Sequence, residues 1–425
     1  MVKFINVILI FAILLFVATC TNNQTPPTSQ QDPSIGDQVS NYPFPNHTVY
    51  VGDYIKPNNY TQTELDNQTK TFYNEWKSEY LKNDCGNINE YYIQYSNESK
   101  TVSEAHGYGM LIMCYMAGHE NNAKLYFDGM FKYYKSHPSN INHNLMDWQQ
   151  ITCNDVSSSA DGSASDGDID IAFSLLLAHA QWKSEGDINY LQEAKTIINA
   201  IMQDEINPNT STVKLGDWSK SNNPSFYYGT RSSDFITSHF KSFSTATGNS
   251  NWNLTVDKCY DLVATVQNTT TGLVPDFIIN TNTTAMPAGQ NYLEGIYDGS
   301  YYYNACRFPW RISTDYLITG DNRAKTVITK LNTWLATSTS GNVNNISNGY
   351  NLDGTKIFTW NDVTFVGPFA VGAMTDINNQ TWLNNLYENL ISQNDLVDGD
   401  YYSNTIKLLS MITISGNYWA PDYSS

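Results

Sequence analysis

Glu104 lies in Ser103-Glu104-Ala105-His106-Gly107-Tyr108-Gly109-Met110, at the head of an apolar run. Two glycines and a tyrosine crowd this one acid, although Ser103 and Glu104 also read as a helix cap with an acid near the positive end of the dipole. Asp166, Asp168 and Asp170 alternate in Ala164-Ser165-Asp166-Gly167-Asp168-Ile169-Asp170-Ile171-Ala172, directly before a buried helix. Acids so close repel one another unless ligands or hydrogen bonds stabilise them. Glu294 sits in Tyr292-Leu293-Glu294-Gly295, ahead of Tyr301-Tyr302-Tyr303-Asn304-Ala305-Cys306-Arg307-Phe308-Pro309-Trp310-Arg311. Two arginines four apart, with a tryptophan and three tyrosines, read as a cleft wall. Carboxylates of this kind serve general acid–base chemistry. Other chemistries lack their residues: there is no Gly-x-x-x-x-Gly-Lys-Ser/Thr, no Gly-x-Ser-x-Gly and no His-Glu-x-x-His. His143 and His179 stand singly, more as core or surface residues than as metal ligands, and because carboxylates suffice for acid–base chemistry neither a metal nor an organic cofactor is implied.

The stretch 164–182 resembles the signature of glycoside hydrolase family 8 over its whole length. Ser103 to Met110 is similar to that family's general-acid motif. Met146-Asp147-Trp148-Gln149, Asp217-Trp218-Ser219, Cys306 to Arg311, Gly367-Pro368-Phe369 and Ser415-Gly416-Asn417-Tyr418-Trp419 fall in the family's order. The resemblance spans roughly residues 70–421. It implies an (α/α)6 barrel and an inverting endo-hydrolase of β-1,4-linked polysaccharide. It places the general acid on Glu104 and a sugar-positioning acid on Asp166, with Asp168 the runner-up. Many members carry Asp where this chain has Asn304, and Asn cannot act as a base. One subfamily, of chitosanases and some β-glucanases, has Asn there and takes its base from an upstream loop. Glu294 in the 280–300 loop looks like that base, with Asp298 the competing acid. Tyr108, Trp148, Asp168, Tyr303, Asn304, Arg307, Trp310 and Arg311 are the expected substrate-binding residues.

The elements that must position these residues are helical. Apolar side chains recur at helical spacing in twelve stretches: 65–82, 104–117, 121–136, 168–183, 190–204, 232–247, 252–266, 307–319, 322–336, 364–375, 380–393 and 402–414. No convincing run of alternating strands appears. A dozen helices without a fixed repeat favour a closed toroid over a solenoid, so the fold class is all-α and the domain is 43–425.

Residues 1–19, with Lys3 before an apolar run, are placed as a signal peptide. Val17-Ala18-Thr19-Cys20 resembles the lipobox of bacterial lipoproteins, which would put a lipid on Cys20; ordinary cleavage is the alternative. Residues 20–42, rich in Thr, Asn, Gln, Pro and Ser, read as a disordered tether. The expected location is extracellular, on the cell surface if Cys20 is lipidated, and the expected state is a monomer. Five cysteines remain beyond Cys20, in no metal-binding spacing, and allow one disulfide among buried thiols.

The chain has 425 residues and a net charge of −18, which argues against nucleic acid and anionic membrane surfaces as partners. Tyr (30) and Trp (10) are abundant enough to grip sugar rings. The Asn304-plus-loop-Glu pattern moves the expected substrate away from xylan and towards chitosan or β-glucan, and the net charge tilts it slightly to chitosan, a polycation, over β-1,3-1,4-glucan or cellulose. A catalytically inactive carbohydrate-binding surface lipoprotein is the alternative of another class.

Overall fold

A computed structural model describes residues 39–96, 100–153, 162–393, 396 and 400–421. The signal peptide, Cys20 and the tether up to residue 38 lie outside these residues. The helices in chain order are α1 (Gln62–Tyr80), α2 (Ser103–Met116), α3 (Ala123–Ser136), α4 (Ser165–Trp182), α5 (Tyr190–Asp204), α6 (Pro224–Tyr227), α7 (Thr237–Thr247), α8 (Asn251–Val266), α9 (Phe308–Thr319), α10 (Asn322–Ser338), α11 (Val363–Ala373), α12 (Gln380–Ser392) and α13 (Tyr401–Ile414). Apart from the four-residue α6, these are the twelve stretches read from the sequence.

Helices α2, α4, α7, α9, α11 and α13 each pack on the next, and α13 returns to α2. This closes a ring. The partners α3, α5, α8, α10, α12 and α1 lie on it from outside, one on each of α2, α4, α7, α9, α11 and α13. The fold is an (α/α)6 barrel. Two sequence patterns produce the two layers. The ring helices α2, α4, α11 and α13 are buried on nearly all sides, as near-continuous apolar runs require. The outer helices are amphipathic: α5 buries Ala194, Ile197, Ile198 and Ile201, one stripe at helical spacing, and turns its remaining face outward.

The ends of the helices are specified locally. Thr61 and Glu64 form a reciprocal capping box on α1. Asp362 and Asp400 cap α11 and α13. Gly320, at φ 73°, takes the left-handed position that ends α9.

The structure also departs from the sequence expectation. Short strands do occur: β1 (Leu81–Lys82) pairs with β2 (Tyr92–Ile93), β3 (Thr101–Val102) with β4 (Gln149–Gln150), and β5 (Thr230–Arg231), β6 (Phe277–Ile279) and β7 (Met286–Pro287) make a three-stranded sheet. At two or three residues, none is long enough to give an alternating pattern. The expected helix 232–247 begins as a 3-10 turn over Ser232–Asp234, with α7 starting at Thr237. Asn41 and Tyr42, grouped with the tether by composition, bond to α4: Asn41 N–H donates to the Gln181 carbonyl (3.2 Å) and Tyr42 N–H to Gln181 Oε1 (2.7 Å). Cys85 and Cys153 form a disulfide, while Cys114, Cys259 and Cys306 are buried thiols.

Candidate active site

A cleft of about 490 Å³ opens where the N-terminal ends of the ring helices converge. Glu104 is in the first turn of α2 and Asp166 in the first turn of α4. Glycines set their proximity. A Cβ on Gly167 would lie 2.4 Å from Ser103 Oγ, and one on Gly107 would lie 2.8 Å from Asp170 Cβ. Without side chains at these points, α2 and α4 nest together and carry both acids to one wall. Ser103 does not cap α2: it is already helical, the N-cap is Val102, and no side chain bonds the cap.

Arg307, buried just ahead of α9, ties the wall together. Its Nη1 donates to Glu104 Oε2 (2.5 Å), Asp166 Oδ2 (2.9 Å) and the Tyr108 hydroxyl (3.2 Å). Its Nη2 donates to Asn304 Oδ1 (2.8 Å) and Ser233 Oγ (3.1 Å). Arg231 adds a second guanidinium, 3.9 Å from Asp166 and 3.7 Å from Glu294. The two acids respond in opposite directions. Burial pushes Glu104 up to about 7, with Arg307 opposing and the Asp166 charge adding. Burial also works against the Asp166 carboxylate, yet Arg231 and Arg307 together hold it at about 2. One wall therefore presents a carboxyl that holds its proton toward neutrality beside a carboxylate that stays ionised well below it.

The opposite wall is a loop. Asn304 Nδ2 donates to Glu294 Oε2 (2.8 Å) while its Oδ1 accepts from Arg307, so an Asn–Arg bridge joins Glu294 to Glu104. Two buried aspartates hold this loop. Asp276 accepts the N–H groups of Tyr302 (2.8 Å), Asn304 (3.1 Å) and Ala305 (2.7 Å). Burial outweighs these bonds and raises its carboxyl to about 7. Asp298 accepts from Leu293 (2.7 Å), Glu294 (3.1 Å) and Gly295 (2.9 Å). It is thus a clamp beneath the turn, whereas the half-exposed Glu294 side chain lines the cleft.

Trp148, Tyr303, Asn304 and Arg307 also line the cleft. Four other residues expected there do not. Asp168 points inward, where its Oδ1 accepts Met146 N–H (2.8 Å); burial and the Glu205 carboxyl raise it well above the usual range. Arg311 is buried one turn below Arg307 and grips Asp170 (3.0 Å from Nη1 to Oδ1). Trp310 is buried, with Arg311 stacked 4.1 Å from its ring centre. Tyr108 is buried and reaches the site only through Arg307. The sequence reading missed Tyr95, Arg231 and Tyr402 in the lining and Asp276 beneath it. Arg231 and Asp276 sit in or beside short strands with no surrounding motif; only Asp276, a lone charge within the apolar stretch 273–279, carried any signal, and Arg231 among Thr, Ser and Asp carried none. Among the described residues, Asp84, Cys85 and Cys153 form a group with metal-ligand atoms, and both thiols are consumed in the disulfide.

The chain matches glycosyl hydrolases family 8 over residues 59–416. It belongs to that family. The family-8 chain is 47% identical over 382 residues to a beta-glucanase of Niallia circulans, covering 89% of this chain and 91% of that one. It is 37% identical to an endoglucanase of Bacillus sp. (strain KSM-330), covering 89% and 82%. Its fold superposes on the apo structure of a beta-1,3-1,4-glucanase from Paenibacillus sp. X4 with a TM-score of 0.86 at 47% identity, covering 90% of this chain and 100% of that one. The chain is a glycoside hydrolase, and its family works with inversion.

Proposed function

We propose that this family-8 hydrolase is an exported endo-β-glucanase that cleaves β-1,3-1,4-glucan with inversion. Glu104 is the general acid, Glu294 the general base, and Asp166 the carboxylate that holds the sugar at the cleavage point. One observation carries this reading: Glu104 and Glu294 face one cleft from opposite walls, separated by the Arg307–Asn304 bridge, and Glu104 retains a proton to about pH 7. Glu104 gives its proton to the glycosidic oxygen as the C1–O bond breaks. Glu294 takes a proton from a water whose oxygen bonds to C1 from the other face. Inverting hydrolases need about 6.5–9.5 Å between the two carboxyls to admit that water.

The slight preference for chitosan drawn from net charge gives way to glucan. The cleft carboxylates Glu104, Asp166 and Glu294 lie against Arg231 and Arg307, so the site is far less anionic than the chain as a whole. The Asn304-plus-Glu294 pattern suits either substrate, and the relatives at 47% identity bear glucanase names. Export rests on residues 1–19 alone and is checked by the N-terminal sequence of the protein recovered from the medium or membrane.

The test is the initial rate on lichenan, carboxymethylcellulose, xylan and chitosan at low and high salt. Lichenan is expected to be cleaved fastest, at a rate indifferent to salt, with an α-anomer appearing first by proton NMR. Chitosan cleavage that dominates and declines with salt would return the assignment to a chitosanase.

A further inference from the structure

An unbroken series of aromatic rings leads out of the cleft. Tyr303, which lines it, meets Tyr302 at 4.7 Å between ring centres. Tyr302 meets Tyr297 at 4.8 Å and Phe358 at 6.2 Å. Phe358 meets Trp360 at 4.6 Å, and Trp360 is 55% exposed. Trp148, the other tryptophan that is exposed, though less so, lines the cleft. A single exposed ring needs no explanation, whereas a contiguous run of exposed apolar surface marks a ligand-binding groove.

The outer rings are also held in place. Ser347 Oγ donates to the Phe358 carbonyl (2.7 Å) and Asn348 N–H to the Trp360 carbonyl (3.2 Å). Tyr350 bridges in β fashion to both Tyr301 and Lys356. Two residues after Trp360, Asp362 caps α11 and accepts the Tyr303 hydroxyl (2.7 Å). The outer platform and the cleft aromatic thus share one hydrogen-bonded frame. Each ring-to-ring step is comparable with the length of one hexose unit.

We propose that Phe358 and Trp360, continued inward by Tyr302 and Tyr297, form a distal subsite for the same β-glucan chain, several sugar units from the bond that is cut. A β-linked glucose presents axial C–H groups on both faces, and these pack on aromatic rings without requiring charge. Continuity with the cleft selects the occupant: a glucan already seated against Tyr303 meets Trp360 when it is long enough. This inference rests on the glucanase reading, and the subsite would favour long chains over short ones.

The experiment measures binding of cellotriose and cellohexaose by calorimetry in the slow background E104Q, with and without W360A and W360Y. The hexaose-over-triose affinity ratio is expected to fall about tenfold in W360A, a typical loss for a truncated aromatic anchor, and to be largely restored in W360Y. An unchanged ratio in W360A, at an unchanged melting temperature, overturns the subsite. If chito-oligosaccharides bind E104Q and cello-oligosaccharides do not, the glucan reading fails; the same ratio, read on the chito-series, then decides the subsite separately.

Discussion

The two walls of the cleft control their carboxylates by different means. Glu104 and Asp166 ride on the first turns of two buried helices pressed together at glycine, and burial with nearby guanidinium groups sets their protonation. Glu294 rides on a loop, half exposed, and is placed by hydrogen bonds from below: Asp298 under its turn, Asp276 under Asn304. A proton donor needs a raised and stable proton affinity, which a rigid, dry wall supplies. A base that must meet water needs exposure and exact placement, which a clamped loop supplies.

The largest effects should come from the two reacting groups and should differ in kind. E104Q is expected to lower the rate on polymer by about 10²–10⁴-fold, least with activated aryl leaving groups, with the fold intact by circular dichroism. E294Q should lose as much whatever the leaving group, and azide, a nucleophile that needs no base, should restore part of its rate and none of that of E104Q. Normal polymer cleavage by E104Q would reduce Glu104 to a helix residue.

Next is the clamp. D298A removes the acceptor for three backbone N–H groups and leaves Glu294 in place chemically. Misplacement of a catalytic group by about 1 Å can lower turnover about 10²-fold, so kcat should fall toward that extent, with some loss of melting temperature from the three unpaired N–H groups. If D298A is as active as the parent, the loop is held by something else.

The pH dependence sharpens the helix wall. As the proposed general acid, Glu104, raised to about 7, acts in its protonated form, so activity should decline as pH rises through about 7. In D166N the neighbouring negative charge that helps raise Glu104 is gone, so its titration, followed by carboxyl NMR, should shift to lower pH. A shift upward would contradict the assigned cause.

The smallest effects concern packing. A Cβ on Gly167 meets Ser103 at 2.4 Å, so G167A should destabilise by about 1–3 kcal/mol. A Cβ on Gly295 in the loop meets nothing within 4 Å, so G295A should stay within about 0.5 kcal/mol of the parent. Equal melting shifts would mean that the walls are equally tight.

The helices were legible because the core selects them: buried runs for the ring and stripes for the outer layer. Depth was not. Asp166 and Asp170 are one turn apart on α4, Arg307 and Arg311 one turn apart at α9, and they pair Asp166–Arg307 and Asp170–Arg311 across the ring. The spacing is the same, but the first pair lines the cleft and the second is sealed beneath it. The motif therefore suggested that both Arg307 and Arg311 line the cleft, where only Arg307 does. Asp168, between the two aspartates, faces a third way, toward Glu205. The motif identified acids with unusual partners, and only the fold separates the partner that meets sugar from those that meet protein. Arg231 and Asp276 reach the site through long-range pairing of short strands, which leaves no local periodicity.

The ring closes by joining α13 to α2, segments almost 300 positions apart along the chain. Closure over such a separation is slow, because loop entropy must be overcome before any contact compensates. Tyr402, on α13, lines the cleft opposite residues that a ribosome would have released long before. During synthesis, five ring helices with their partners can assemble as an open arc whose seam exposes apolar faces. The wall that carries Tyr402 is in place only when the last helix docks. Completion of the cleft is therefore a late event in the life of the chain, and a lesion in α13 would take Tyr402 from it without touching Glu104, Asp166 or Glu294.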